Sequence, residues 1–407
     1  MHILFFSENF PPETNAAATR VFERATYWVK WGHKVTVITC APNFPYGKLF
    51  DGYKNTWYQT EIMSGIRVVR VKTYIAPNQG VLRRSLDFVS FLATGALAGI
   101  FQPRPDMIAA TSPQFFAAVA GWLVAGLRGK PFVFELGDLW PNSISAVGVM
   151  EKGMMLALME KFELFLYRRS TAVAALTNAF KKNLIERNIP AEKIHVVING
   201  VDLDRYQPRA RNEKLAKEWD LAGKFVVGYI GTHGMAHGLT NVLDTADLLR
   251  DQAEITFLFV GAGAERETLV RESERRGQTN VLFLPAQPKD RVPDIWSLCD
   301  VALVHLKGSP AFADVLPSKI FEAMAMGLPV ILVSPEGEAS DFIQAKGAGE
   351  WVPAGDPELF AYTVRNLYEN NPKCKSLAYS SLDAAQMHSR EKQAREMLEV
   401  FQWSLDR

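Results

Sequence analysis

The sequence predicts an α/β protein of two doubly wound, Rossmann-like domains whose parallel sheets face each other across a cleft. Three observations lead there. Strand-like apolar runs alternate with helical stretches from end to end, the pattern of right-handed βαβ units. The alternation starts afresh halfway, at "KFVVGYIG", after a charged and irregular stretch. The chain has 407 residues, enough for two domains of about 150 to 200 residues each.

In order along the chain, "HILFFS" reads as a first buried strand, too short and too poor in leading basic residues for a signal peptide. "AAATRVFERATYWVKWG" follows as a helix and "HKVTVITC" as the second strand. "RVVRVKTY", "DMIAA", "PFVFEL", "AVAAL" and "IHVVIN" complete the first series, and "GVDLDRYQPRARNEKLAKEWDLAG" is the crossover. The second series runs "KFVVGYIG", "ITFLFVG", "NVLFLP", "VALVHL" and "PVILVS", with "GEWVP" last. Helices such as "TNVLDTADLLRDQ" and "AERETLVRESERR" lie between these strands. "REKQAREMLEVFQWSL" is a closing helix that packs back toward the first domain. The expected domains are 1–205, 206–385 and the closing helical segment 386–407.

Composition narrows the function. A hydrophobic fraction of 48% and a charged fraction of 22% belong to a soluble protein with a sizeable core. A net charge of +1 gives no support for a nucleic-acid partner. The three cysteines, Cys40, Cys299 and Cys374, are odd in number and far apart. That speaks against a disulfide framework or a zinc site and for a reducing compartment.

In open parallel sheets a ligand lies beyond the carboxyl ends of the strands. The loops "SENFPPETNAAATR", "GDLWPNS", "GTHGMAHG" and "KGSPAFADVLPSK" all follow strands. The last two lead into helix N-termini, which favour anions, so a phosphate-bearing ligand is expected between the domains. In "VLPSKIFEAMAMGLPVI", Ile320, Ala323, Met324 and Gly327 form one packed helical face. Gly327 and Pro329 then stop the helix and a strand begins. Lys319 is out of place there, because the positive end of a helix disfavours a cation. Glu322 lies on the same side, one turn on.

Other signals are weaker. "VGAGAER" imitates a dinucleotide fingerprint but has Arg266 at the third glycine position, and it reads as a tight strand-to-helix turn. "DLD" at 202–204 resembles a metal-binding carboxylate pair, yet sits in the crossover and reads as a solvated loop. His233 and His237 lie four apart, but the glycines around them make a loop of that segment and speak against a metal.

Together these residues carry a resemblance. Along almost its whole length the chain resembles the family-4 glycosyltransferases of the two-domain GT-B fold. The matching stretches are "GHKVTVIT" at 32–39, "VINGVDLDRY" at 197–206 and "SKIFEAMAMGLPVI" at 318–331. "PNFPYGKLFDGY" and "DLWPNSI" are similar to bacterial members that build surface polysaccharides such as O-antigen and capsule, including N-acetyl-L-fucosamine transferases.

The resemblance implies an acceptor-binding first domain and a nucleotide-sugar-binding second domain. It makes Glu322 the acceptor of hydrogen bonds from the ribose hydroxyls, a task suited to a carboxylate. The family's other glutamate, eight residues earlier, is here Asp314, expected near the transferred sugar. Its diphosphate-binding arginine and lysine correspond to Thr232 and His237, beside Gly231, so Lys319 with neighbouring Ser318 is either the replacement cation site or a solvated surface. The histidine often found after the fourth strand is replaced by Gly137 and Asp138. Asp138 either orients acceptor or sugar hydroxyls or caps a helix, and the leaving phosphate can serve as proton acceptor in a retaining transfer. Asn15 and Ala16, with Ala17, stand where the family has a glycine-rich loop against the diphosphate. Backbone groups near Pro285 and Ala286 are expected at the base, with uracil implied by resemblance alone. The catalytic set is thus Asp138, Asp314 and Lys319.

The expected activity is a metal-independent hexosyltransferase. It moves an N-acetylated, or 6-deoxy, hexosamine from a UDP-sugar to a lipid-linked saccharide at the cytoplasmic membrane face, and needs no cofactor. The alternatives are a nucleotide-sugar epimerase of the same fold and a non-catalytic nucleotide-sugar-binding subunit. Peripheral membrane contact falls on residues 82–101, "LRRSLDFVSFLATGALAGIF". These read either as a packed core helix or as an interfacial one, with Arg83 and Arg84 at headgroups and Leu86, Phe88, Phe91 and Leu92 in the acyl boundary.

Overall fold

Ile3, Leu4, Phe5 and Phe6 are wholly shut away from water, as a strand covered on both faces requires. They form β1 (His2–Phe6), the middle of the first of two sheets. The computed structural model describes residues 1–44, 47–75, 81–139 and 153–407. The chain divides into one unit of residues 1–199 with 390–407 and another of residues 200–389. Each is a Rossmann-like α/β domain built on a parallel sheet.

The first sheet contains β2 (Lys34–Cys40), β3 (Tyr58–Met63), β4 (Ile66–Val71), β5 (Met107–Thr111), β6 (Phe132–Leu136), β7 (Ala172–Ala175) and β8 (Ile194–Val196). Its order is β3-β4-β2-β1-β5-β6-β7-β8. Only the outermost pair, β3 with β4, is antiparallel. Helix Ala16–Lys30 is capped by Asn15, whose side chain accepts from the Ala18 N–H. It buries Val21, Ala25 and Trp28. The last helix, Arg390–Leu405, belongs to this unit and adds Ala394, Met397, Val400 and Phe401 to the same core. Trp28 Nε1 donates to the Ala394 carbonyl at 2.9 Å. Arg390 binds Glu23 at 2.8 Å and Asn199 at 2.7 Å.

The second sheet contains β9 (Phe225–Ile230), β10 (Ile255–Val260), β11 (Val281–Leu284), β12 (Val301–His305), β13 (Val330–Ser334) and β14 (Gly349–Pro353). Its order is β11-β10-β9-β12-β13-β14, parallel throughout. The strand order reverses between β9 and β12 here, and between β1 and β5 in the first sheet. Such switch points are where open α/β sheets leave a crevice for a ligand.

Three details depart from the sequence reading. β3 is a strand that the reading missed. The crossover is not wholly irregular, since Glu213–Glu218 is helical. Phe91, expected in an acyl boundary, is fully buried, because it lies on the face of helix Val81–Ile100 turned toward the sheet.

Candidate functional site

At the switch point of the second sheet, the loop after β9 carries Gly231, Thr232, His233 and His237, and the loop after β12 leads to Lys319 and Glu322. Gly231 has φ +147°, and a Cβ there would stand 3.0 Å from Lys319 Nζ. Gly261, in the loop after β10, has φ +157°. A Cβ on it would overlap the Gly231 carbonyl oxygen at 1.8 Å, so the two loops touch backbone to backbone. "VGAGAER" therefore serves as the tight strand-to-helix turn its sequence implied, leading into helix Arg266–Arg276.

Lys319 is the first residue of a helix of seven residues, Lys319–Ala325, and Ser318 before it makes no side-chain cap. So short a helix has little dipole to oppose the cation. The Lys319 side chain turns back over the Tyr229 ring, with Nζ 3.8 Å from the ring centroid. Nζ is buried and has no hydrogen-bond partner among the described residues. This is not a solvated surface lysine. Burial pulls its ammonium down to about 7, against the opposing pull of Glu322. An isolated ammonium held out of water this way is costly unless an anion joins it.

The surrounding histidines bring no positive charge. His305 Nδ1 lies 2.6 Å from the His237 carbonyl and must donate to it. Burial holds His305 down at about 4, so the ring is neutral. Its Nε2 lies 3.0 Å from Asn241 Oδ1, and a neutral ring that donates from Nδ1 can accept there only with the amide turned over so that its NH2 faces the ring. His237 Nδ1 stands 3.3 Å from the His305 carbonyl, and burial together with Lys319 keeps this ring well below the usual imidazole range. His233 is fully buried, tilted against Tyr229 and edge-on to Phe259 and Phe283, and burial takes it to about 3. Of these groups facing one another, only Lys319 changes charge near neutral pH.

Thr232 is exposed, Ser318, Asp314 and Glu322 are half-buried, and Pro285 and Ala286 are exposed just past β11. Geometry thus brings Gly231 and Lys319 into contact, with His237 and His305 paired alongside, while the structure supplies no direct contact for Pro285 or Ala286 with them. Sequence reasoning missed His305, and it read His233 only as a loop residue and Arg266 only as the break in a dinucleotide fingerprint. Arg266 has a buried, unpartnered Nε and lies close enough to His233 to lower its proton affinity. Strand-end position was the one available signal for His305, the last residue of β12.

In the first unit Asp138 is half-buried, two residues past the end of β6. Gly137 before it cannot carry a side chain, since a Cβ would sit 2.6 Å from the Ser112 carbonyl oxygen; this excludes a histidine there. Asn15 spends its oxygen on the helix cap, while its Nδ2 is buried and unpartnered among the described residues. Ala16 is exposed. Glu13 organises the loop after β1: it accepts from the N–H groups of Asn43 at 2.7 Å and Phe44 at 2.8 Å and from Asn9 at 2.8 Å. Pro45, Tyr46 and residues 140–144, within the stretches compared to polysaccharide enzymes, lie outside the described residues.

"DLD" is a turn: Asp202 Oδ1 accepts from the N–H groups of Asp204 at 3.1 Å and Arg205 at 3.3 Å. Among the described residues no group of three or more His, Cys, Asp or Glu side chains is placed to hold a metal ion.

Residues 17–205 match the model of glycosyltransferase family 4, and residues 211–382 that of the glycosyl transferases group 1. A putative colanic acid biosynthesis glycosyl transferase of Escherichia coli, WcaI, is 29% identical over 335 residues, 80% of this chain and 82% of that protein. A GDP-mannose-dependent alpha-mannosyltransferase of Mycobacterium tuberculosis is 26% identical over 370 residues, 89% of this chain and 88% of that protein. Among solved structures, Anabaena Alr3699/HepE in complex with UDP and glucose superposes with a TM-score of 0.74. It has 21% identity and 98% of each chain is covered.

Proposed function

We propose that this chain, which belongs to the glycosyltransferases of the GT-B type, moves a sugar from a uridine diphosphate donor to a lipid-linked saccharide. The product would be a bacterial surface polysaccharide. The observation that carries the reading is Lys319: an ammonium buried without a partner against Gly231, at the switch point of a parallel sheet. It is a cation prepared for an anion that arrives with the substrate. The donor diphosphate fits that requirement, and Glu322, one turn on, would accept the ribose hydroxyls.

In this arrangement His237 contributes shape rather than charge, and Lys319 takes over the neutralisation that the family assigns to other cations. Asp314 would stand near the transferred sugar and Asp138 near the acceptor. Transfer would proceed without a metal and with retention, the leaving phosphate taking the acceptor proton. Uridine is supported by the HepE complexes with UDP and UDP-glucose, and surface polysaccharide by WcaI. The mannosyltransferase relative favours guanosine as a second donor base. An N-acetylated hexosamine, or its 6-deoxy form, remains the proposed sugar.

The test is to incubate the purified chain with a panel of UDP- and GDP-sugars and bacterial lipid-linked saccharides, in the presence of a chelator. Products are read by mass spectrometry. The reading expects UDP release coupled to a lengthened lipid-linked saccharide. Conversion of the donor alone to an epimer, or donor binding without any turnover, would contradict it. So would activity that needs added magnesium or manganese.

A further inference from the structure

β3 is the outermost strand of the first sheet, and among the described strands only β4 pairs with it. Its far edge lies open: Tyr58 and Ile62 are exposed, as is Trp57 just before it, by 73%.

The register decides which backbone groups that edge offers. β3 and β4 are joined by a two-residue turn, Ser64 at φ +49° and Gly65 at φ +80°, the type I′ geometry of tight hairpins. Met63 and Ile66 flank the turn as partners and form its first hydrogen-bonded pair, after which bonded and non-bonded pairs alternate. Glu61 with Val68 and Gln59 with Arg70 are thus bonded pairs, their N–H and C=O groups turned toward β4. Tyr58, Thr60 and Ile62 turn theirs outward.

Soluble proteins usually blunt such an edge with proline, lysine or a bulge. "YQTEIM" contains neither residue, and its register with β4 is unbroken. Its single charge, Glu61, is held by Arg70.

A second copy of the same strand fits this edge. Laid antiparallel across a two-fold axis at Thr60, Thr60 meets its own image, Tyr58 meets Ile62, and Gln59 meets Glu61. All three outward-turned residues then become bonded pairs. Threonine with threonine and an aromatic with a β-branched side chain are favourable cross-strand neighbours. The carboxylate of Glu61 faces an amide. Sliding the copy by one residue would set outward groups against inward ones. The next register one way opposes Glu61 to its own image, which is unfavourable, and the other way carries Ile62 past the end of the partner strand.

We propose that β3 is a self-association edge, through which two copies of this chain join their first sheets into one in the register centred on Thr60. The contact is isologous, so it closes at a dimer. It is also short, at the low end of interface sizes, so the dimer is reversible. A strand from another protein would meet the same backbone groups without this side-chain match.

The test is sedimentation velocity of the full chain over a wide concentration range. The wild type is expected to pass from monomer to dimer and to go no further. Thr60→Pro removes an outward N–H at the axis while sparing the bonds to β4, and should weaken the dimer at least tenfold. Gln59→Glu sets a carboxylate against Glu61 at both ends of the contact and should do the same, whereas Gln59→Lys should tighten the dimer. On mild oxidation Thr60→Cys should cross-link to its image, while Ile62→Cys, four residues removed from its own, should not. UDP affinity should be unchanged in Gln59→Glu and Gln59→Lys, which keeps this proposal separate from the transferase reading. A monomer at every concentration would overturn the proposal. So would a dimer indifferent to both Thr60→Pro and Gln59→Glu, cross-linking through Ile62→Cys instead of Thr60→Cys, or open-ended assemblies in place of a dimer.

Discussion

Lys319 shows how much one residue can say about a site. Its awkward position at a helix start was legible in the sequence, but its direction was not: the side chain folds back over Tyr229 and leaves the helix it begins. Since burial draws its ammonium down to about 7, the free enzyme above that pH holds largely a neutral amine. A bound diphosphate favours the charged form, so donor binding at pH 8 should take up close to one proton. Calorimetric titration with UDP in Hepes and in Tris, whose ionisation enthalpies differ, measures it; Lys319→Met should bind more weakly and take up none. The same depression has a sign for folding. Between about 7 and the ordinary lysine value near 10.4 the unfolded chain holds a proton that the folded one has lost, so this residue adds stability as pH rises through that window.

At the scale of elements, what was legible follows the physics of burial. β1, β9, β10 and β12 are continuous apolar runs because both faces of a parallel sheet are covered. β3 was missed because it is an exposed edge strand, "YQTEIM", with Tyr58 and Ile62 in solvent and no apolar run. The Ser64-Gly65 turn after it, both residues at positive φ, was the available hairpin signal. The contact of the β9 and β10 loops was also out of reach, because no pattern tells a glycine that which backbone it will meet. It is open to test through Gly261→Ala. A Cβ overlapping the Gly231 carbonyl, at a φ that side chains resist, should lower the melting temperature and weaken UDP binding at least tenfold. Gly277→Ala, where φ is +63° but nothing lies within 4 Å, should cost about 1 to 2 kcal/mol and leave UDP binding unchanged.

For the molecule as a whole, two sheet-based domains could be read from the restart of the strand–helix alternation. The last helix belongs to the same unit as residues 1–199, where Arg390 bonds to Glu23 and Asn199, partners that nothing in "REKQAREMLEVFQWSL" names. The proposed nucleotide site is expressed in the sequence only as a class, through Glu322 and the strand-end loops. Its charge balance is not, because Thr232 and His237 depart from the family pattern and only the folded chain shows Lys319 reaching Gly231. The central claim is that Glu322 and Lys319 together hold a nucleoside diphosphate without a metal, and one measurement addresses it: calorimetric titration of UDP, in chelator, into wild type and Glu322→Ala. Losing an acceptor of hydrogen bonds in a charged pair costs about 1.5 to 3 kcal/mol. The variant should therefore bind UDP at least tenfold more weakly while melting at the same temperature as the wild type. Equal affinities in the two proteins, or no wild-type binding until a divalent ion is restored, would contradict the account.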